Sequence, residues 1–140
     1  MKFRKINSDY VIKMDKGDDI VKEITELCKK ENIKGACFTG IGAISYAKLG
    51  WFNPVTKEYH TKDIDEYVEI TSLVGNVGKL DNDDPLVHTH ITLSDSNFNV
   101  RAGHLFQCKV SLAAEIFLKN LGEALEKAPD LEFHLNFLKL

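Results

Sequence analysis

The chain reads as an α/β (α+β) domain, rich in strands and poor in helices. Three observations predict it. Short segments of alternating apolar and polar residues recur along most of the chain, separated by Gly, Pro, Asn and Asp clusters. Only one stretch near the N-terminus has clean helical periodicity. In the middle, the run Pro85-Leu86-Val87-His88-Thr89-His90-Ile91-Thr92-Leu93 is followed by a polar turn and a returning strand, which is a hairpin.

Phe3 to Ile6 and Tyr10 to Met14 read as short strands around an Asn7-Ser8 turn. Gly17-Asp18-Asp19 offers a helix N-cap with acidic residues in the first turn. Ile20, Val21, Ile24, Leu27 and Cys28 follow at helical spacing, so residues 18–31 form an amphipathic helix. Asn32-Ile33-Lys34-Gly35 ends it, and Ala36-Cys37-Phe38 is a brief strand running into Gly40-Ile41-Gly42. Two readings of that glycine pair stand: a phosphate-cradling or ligand-pocket loop, or a tight turn or bulge. The dinucleotide fingerprint needs a third glycine and a following helix, whereas Ala43 to Phe52 reads as a strand, so the bulge is favoured.

Trp51 is expected in the core or at an interface. Asn53 to Lys57 is a turn, Glu58 to Thr61 and Tyr67 to Val74 are strands, and Gly75-Asn76-Val77-Gly78 permits a bend or bulge. Val110 to Lys127 is ambiguous, but its Leu, Ala and Glu content favours a helix by local propensity. Leu131, Phe133, Leu135 and Phe137 alternate with polar residues as a final strand. His134 is expected to face solvent there, and His60 to lie in a loop.

The chemistry gathers in the hairpin. Alternation puts His88 and His90 on one face of their strand. With the turn centred near Asn97, residue 90 falls opposite residue 104, and cross-strand Cβ atoms lie about 4.5–5.5 Å apart. His88, His90 and His104 then converge as a three-histidine site with an open position, suited to zinc or another divalent transition metal. A purely structural or proton-titrating imidazole cluster is the other reading. A hydrolytic metal site also needs a general base, and Glu69, Asp95 and Glu115 are the available carboxylates.

Composition bounds the rest. The 140 residues fit one domain spanning 1–140, with 44% hydrophobic and 28% charged content. No apolar run approaches the roughly 20 residues of a membrane helix, and Met1-Lys2-Phe3-Arg4-Lys5 does not open a secretory signal, so a cytoplasmic protein with no membrane partner is expected. Cys28, Cys37 and Cys108 lack any Cys-x-x-Cys spacing and read as small buried hydrophobes in a reducing compartment. A net charge of −3, acidic patches at Asp63-Ile64-Asp65-Glu66 and Asp81-Asn82-Asp83-Asp84, and arginines only at Arg4 and Arg101 argue against autonomous DNA binding.

Gly40-Ile41-Gly42-Ala43-Ile44, Leu49-Gly50-Trp51-Phe52, Glu69-Ile70-Thr71-Ser72-Leu73-Val74-Gly75-Asn76, His88-Thr89-His90 and Gly103-His104-Leu105 occur in this order. Together they resemble the plant and prokaryote conserved (PPC) domain over residues 8–138, in its stand-alone prokaryotic form. That family also includes the plant AT-hook nuclear proteins. The resemblance implies a largely antiparallel sheet flanked by few helices, assembled as a homotrimer. It implies a strand over Val110 to Leu118, with Glu115 at the family's acidic position, and a metal at the histidine trio, with Glu115 and Glu69 standing behind it or serving as base. Gly40, Gly42 and Gly103 become ligand-pocket backbone. The family's Gly-Gly-His-Leu reads Ala102-Gly103-His104-Leu105 here. DNA-binding labels in the family go with Arg-Gly-Arg-Pro AT-hooks, and this chain has none. The expected function is a trimeric metal- or ligand-binding module with a DNA-binding or regulatory role, whose partners are itself, a small molecule, a regulatory protein or DNA. The alternative is a metal-dependent hydrolase or lyase acting on a small molecule.

Overall fold

The computed structural model describes residues 1–140. Nine strands and one helix follow in the order β1 (Lys2–Ile6), β2 (Asp9–Asp15), α1 (Ile20–Lys30), β3 (Ala36–Asn53), β4 (Glu58–Ile64), β5 (Val68–Lys79), β6 (Pro85–Ser94), β7 (Val100–Asn120), β8 (Lys127–Pro129) and β9 (Asn136–Leu138). Seven strands form one antiparallel sheet in the order β1-β2-β7-β6-β5-β3-β4. A further β7–β3 pairing bends β3, β5, β6 and β7 into a closed ring, which leaves only β1 and β4 as edges.

The ring is filled by the inward half of each alternating pattern. Ile44, Leu73, Ile91, Leu93, Ala114 and Ile116 are buried there, and Ile20, Ile24, Leu27 and Cys28 of α1 join the same cluster. Asp19 fixes the helix twice over. One carboxylate oxygen caps the first turn by accepting from the Lys22 amide at 3.1 Å, and the other accepts from the Cys108 amide on β7 at 3.1 Å. No helix is long and apolar enough to cross a membrane.

Several expectations are corrected. Val110 to Lys127 is not the helix that local propensity favours: as the resemblance implies, Val110 to Leu118 is strand, part of a β7 that runs to Asn120 between β2 and β3. Ala114, Ile116 and Leu118 are buried while Glu115 and Phe117 are exposed, so a period of two supplies burial that a helix here would forfeit. Gly75 to Gly78 is no bend but part of β5, whose register against β6 shifts only between Ile70 and Ser72. The predicted final strand shrinks to Asn136–Leu138, because Asp130 accepts from the Glu132 and Phe133 amides and holds the preceding residues in a turn. His134 is exposed as expected, but at a positive φ of 58° after that turn. His60 lies in β4 opposite Trp51, not in a loop. Trp51 is 60% exposed, and Cys37 is exposed on the outward side of β3.

The glycine pair resolves as a bulge. Register shifts flank Gly42 on both sides, and a Cβ there would meet the Ala114 Cα at 2.5 Å and the Ala113 carbonyl at 2.6 Å. A Cβ on Gly40 would meet the Glu115 carbonyl at 2.7 Å. The two glycines let β3 pass close against β7, which closes the ring.

Candidate metal centre

β6 and β7 pair in the register His90↔His104, Ile91↔Gly103, Thr92↔Ala102. His88 lies two residues before His90 on the same outward face, while Thr89 and Ile91 point inward and are buried. The three rings stand 5.3, 5.2 and 5.5 Å apart between centroids, and one nitrogen from each lies within 4.8 Å of the others. His88 and His104 are half-buried and His90 is exposed, so the trio has one closed side and one open side.

Electrostatics keep the inner two imidazoles neutral. Burial pushes the His104 pKa down to about 4, and the neighbouring His88, His90 and the Lys127 ammonium press in the same direction. His88 is lowered by burial first, then by Lys127 and His90. Neutral imidazole is the form that binds a metal. His104 Nδ1 is buried with no hydrogen-bond partner, a costly state for a polar nitrogen unless something else occupies its lone pair or proton. A buried, unpartnered ring nitrogen in a set of three convergent imidazoles, two of them pushed toward the neutral form, fits a divalent transition metal with His88, His90 and His104 as ligands and a remaining position open.

An aromatic wall stands beside them. The Phe106 ring is 4.7 Å from His104 and the Tyr59 ring 5.4 Å, with Tyr59 and Phe106 packed 4.9 Å apart. A cleft of about 310 Å³ opens there, lined by Val21, Tyr59, Leu86, Phe106, Leu135 and Phe137 along with His88 and His104. A larger hollow of about 520 Å³ near Tyr10 and Phe117 lies elsewhere and has no convergent imidazoles. The histidine cleft is therefore the candidate site.

The other expected site residues do not gather here. Glu69 is five residues along β5 from Val74, the partner of His90, or about 15 Å of strand away. Glu115 is eleven residues along β7 from His104, more than about 30 Å of strand. Both line a separate cleft with Gly42 and Leu112. Asp95 is spent on its turn, accepting from the Asn97 and Asn99 amides at 2.8 and 3.0 Å. Gly40 and Gly42 serve the β3–β7 approach rather than the histidines, and Gly103 lies under the Gly50 carbonyl, 3.0 Å from where its Cβ would be.

Two residues at the site escaped the sequence reading. Asn76 is the β5 partner of His88, and its Oδ1 is buried without a hydrogen bond. Lys127 of β8 is 2% exposed, and its stem lies over Gly78, where a Cβ would meet the Lys127 Cγ at 2.9 Å. Burial lowers its pKa to about 8. The β5–β6 register would have found Asn76, whereas nothing local marks Lys127.

The profile of the Plants and Prokaryotes Conserved (PCC) domain matches residues 1–122. Among solved structures, a "putative DNA-binding protein" from Bacteroides thetaiotaomicron is 31% identical, with 99% of this chain and 96% of that one covered at a TM-score of 0.94. A plant- and prokaryote-conserved protein from Pyrococcus horikoshii is 32% identical over 99% and 94% of the two chains, TM-score 0.86. A metal-containing protein from Archaeoglobus fulgidus is 33% identical over 100% of both, TM-score 0.86. No curated protein matches. With the ring, the hairpin and most of its length in common with these proteins, the chain belongs to the Plants and Prokaryotes Conserved domain family.

Proposed function

We propose that this is a metal-dependent ligand-binding module, working in the cytoplasm as a homotrimer with a regulatory role at DNA. The metal is zinc or another divalent transition ion on His88, His90 and His104. The observation that carries the reading is the convergence of three imidazoles, one nitrogen of each within 4.8 Å of the others, with His104 Nδ1 buried and unpartnered. The Archaeoglobus relative, named as metal-containing, supports it.

Assembly is supported by the outer surface. Phe117, Thr39, Val74 and His90 are successive partners across four strands, with Phe117 57% and Val74 52% exposed. Ile41 and Leu112 extend this apolar stripe. Such a surface is the kind that subunits bury. The regulatory role at DNA follows the name of the Bacteroides relative. On this chain the direct contribution to DNA is weak, because Arg101 is already engaged by Glu66 and Asp95.

Binding is favoured over hydrolysis, since no carboxylate stands beside the trio to act as base. Elemental analysis of purified wild type and a His90→Ala variant tests the metal. About one equivalent in the wild type and a loss of at least about tenfold in affinity in the variant are expected. Equal uptake by the two proteins removes the site.

A further inference from the structure

The surroundings of the trio contain one ammonium, that of Lys127, and no carboxylate among the convergent groups. Lys127 is buried, burial is what shifts it, and no carboxylate pairs with it. Its charge reaches both His88 and His104. An ammonium whose stem is buried and which no carboxylate neutralises is disfavoured, and a chain tolerates it where something supplies the missing charge. A divalent ion on the histidines adds a second positive centre facing the first. The three ligands are neutral, and Glu69, Glu115 and Asp95 are elsewhere. Two cations side by side in a half-dry pocket repel each other unless an anion lies between them.

The position of Lys127 is built rather than incidental. Gly78 pairs with Leu86 and Asn76 with His88, so Gly78, Asn76, Leu86 and His88 share one outward patch. The Lys127 stem lies on Gly78, with its Cε 3.0 Å from where a Cβ would stand, so a larger residue at 78 would push the amine away. β8 carries Lys127 and pairs with β9, whose Asn136 and Phe137 line the cleft with Leu135 just before them. The tail that brings the ammonium thus also brings apolar walls. Residues 127–138 lie beyond the stretch matched by the family profile.

Resting on the metal reading above, we propose that the site takes a small organic carboxylate. Its anionic oxygens lie between the metal and the Lys127 ammonium, and its apolar part fills the cleft of Leu86, Phe106, Leu135 and Phe137. A carboxylate suits this set better than a phosphate. Phosphate recognition draws on arginine forks or several convergent amides, and Arg101 is committed to Glu66.

The test uses the full chain, zinc, and three probes at pH 7: benzoate, its neutral counterpart benzamide, and inorganic phosphate. Zinc content is measured separately for every protein. Zinc-loaded wild type is expected to bind benzoate at least about tenfold more tightly than benzamide, the worth of one charge-assisted contact. Lys127→Met keeps the stem and loses that preference while taking up as much zinc. Lys127→Arg retains most of it. Lys127→Met should melt no lower than wild type, since a buried unpaired charge is replaced by an apolar group. Equal benzoate affinity in wild type and Lys127→Met overturns the carboxylate clamp and leaves the metal reading standing, as does a wild type that binds zinc but treats benzoate and benzamide alike. Phosphate binding more tightly than benzoate overturns the assignment of class. A wild type that takes up no zinc overturns the metal reading and the joint clamp with it. The wild-type comparison of benzoate with benzamide decides the matter even if a variant fails to fold.

Discussion

Acid should destabilise the metal-free protein through His104. In the folded chain its pKa is held at about 4 against an ordinary 6.5, chiefly by burial. Between those values the unfolded chain binds a proton that the folded chain refuses, so stability rises with pH across the window and is lost as pH falls from about 6.5 to about 4. The full gap corresponds to at most about 3 kcal/mol at 1.36 kcal/mol per pH unit. The ring is only half-buried, so solvent screening reduces the expected loss to about 1.5 kcal/mol. His88 acts in the same sense. The perturbation is His104→Gln, which removes the titration and keeps a polar side chain. The assay is urea unfolding of both proteins with a chelator present, between pH 7 and about pH 4.5. Carboxylates elsewhere titrate alike in both and cancel in the difference. Wild type should lose about 1 to 2 kcal/mol more than the variant over that range. Parallel curves would refute the claim that His104 is held neutral by its surroundings, and with it the argument that the site is poised for a metal.

Three other outcomes follow from the geometry. Gly42→Ala should cost more than about 2 kcal/mol by thermal or urea unfolding, because its Cβ meets β7 backbone at 2.5 Å; an unchanged midpoint would mean that β3 and β7 do not approach closely. Light scattering at micromolar concentration should give three times the mass of the 15.8 kDa chain, and a monomer mass would leave the Phe117–Val74 stripe unexplained. A fluorescent DNA duplex should bind weakly at about 50 mM salt and negligibly at about 200 mM, since the chain carries a net charge of −3 and Arg101 is held by Glu66 and Asp95. Sub-micromolar binding at the higher salt would show that assembly builds a basic surface.

The histidine site was legible because it depends on two local rules. Alternation sets which face a strand residue takes, and a short polar turn sets the register, so His90↔His104 could be read from the spacing between residues 90 and 104. The helix of residues 20–30 was legible from its cap and its apolar stripe. β7 was not, because Leu112, Ala113, Ala114, Glu115 and Leu118 are good helix formers. Only the presence of β2 on one side and β3 on the other makes extension worthwhile, and neither neighbour is close in sequence. The carboxylates failed for the same reason. Glu69 and Glu115 lie on the strands that carry or adjoin the histidines, but distance along a strand separates them from the trio. Lys127 is the hardest case. Its burial comes from a parallel bridge between Lys79 and Glu126 and from the pairing of β8 with β9, contacts that leave no periodic trace.

The location of Lys127 divides the labour of the pocket between two parts of the chain with different freedoms. The histidines sit on central strands of the ring, where each substitution is felt by neighbours on both sides and by the core beneath. The ammonium and the walls at Leu135 and Phe137 come from a short two-stranded flap whose only other strand pairing is a single bridge. If the histidines hold the proposed ion, a change in the flap would alter what joins that ion without disturbing how it is held. On the proposed reading, two chains with the same three histidines but different last eighteen residues, the stretch beyond the profile match, would hold the same ion and need not recognise the same molecule.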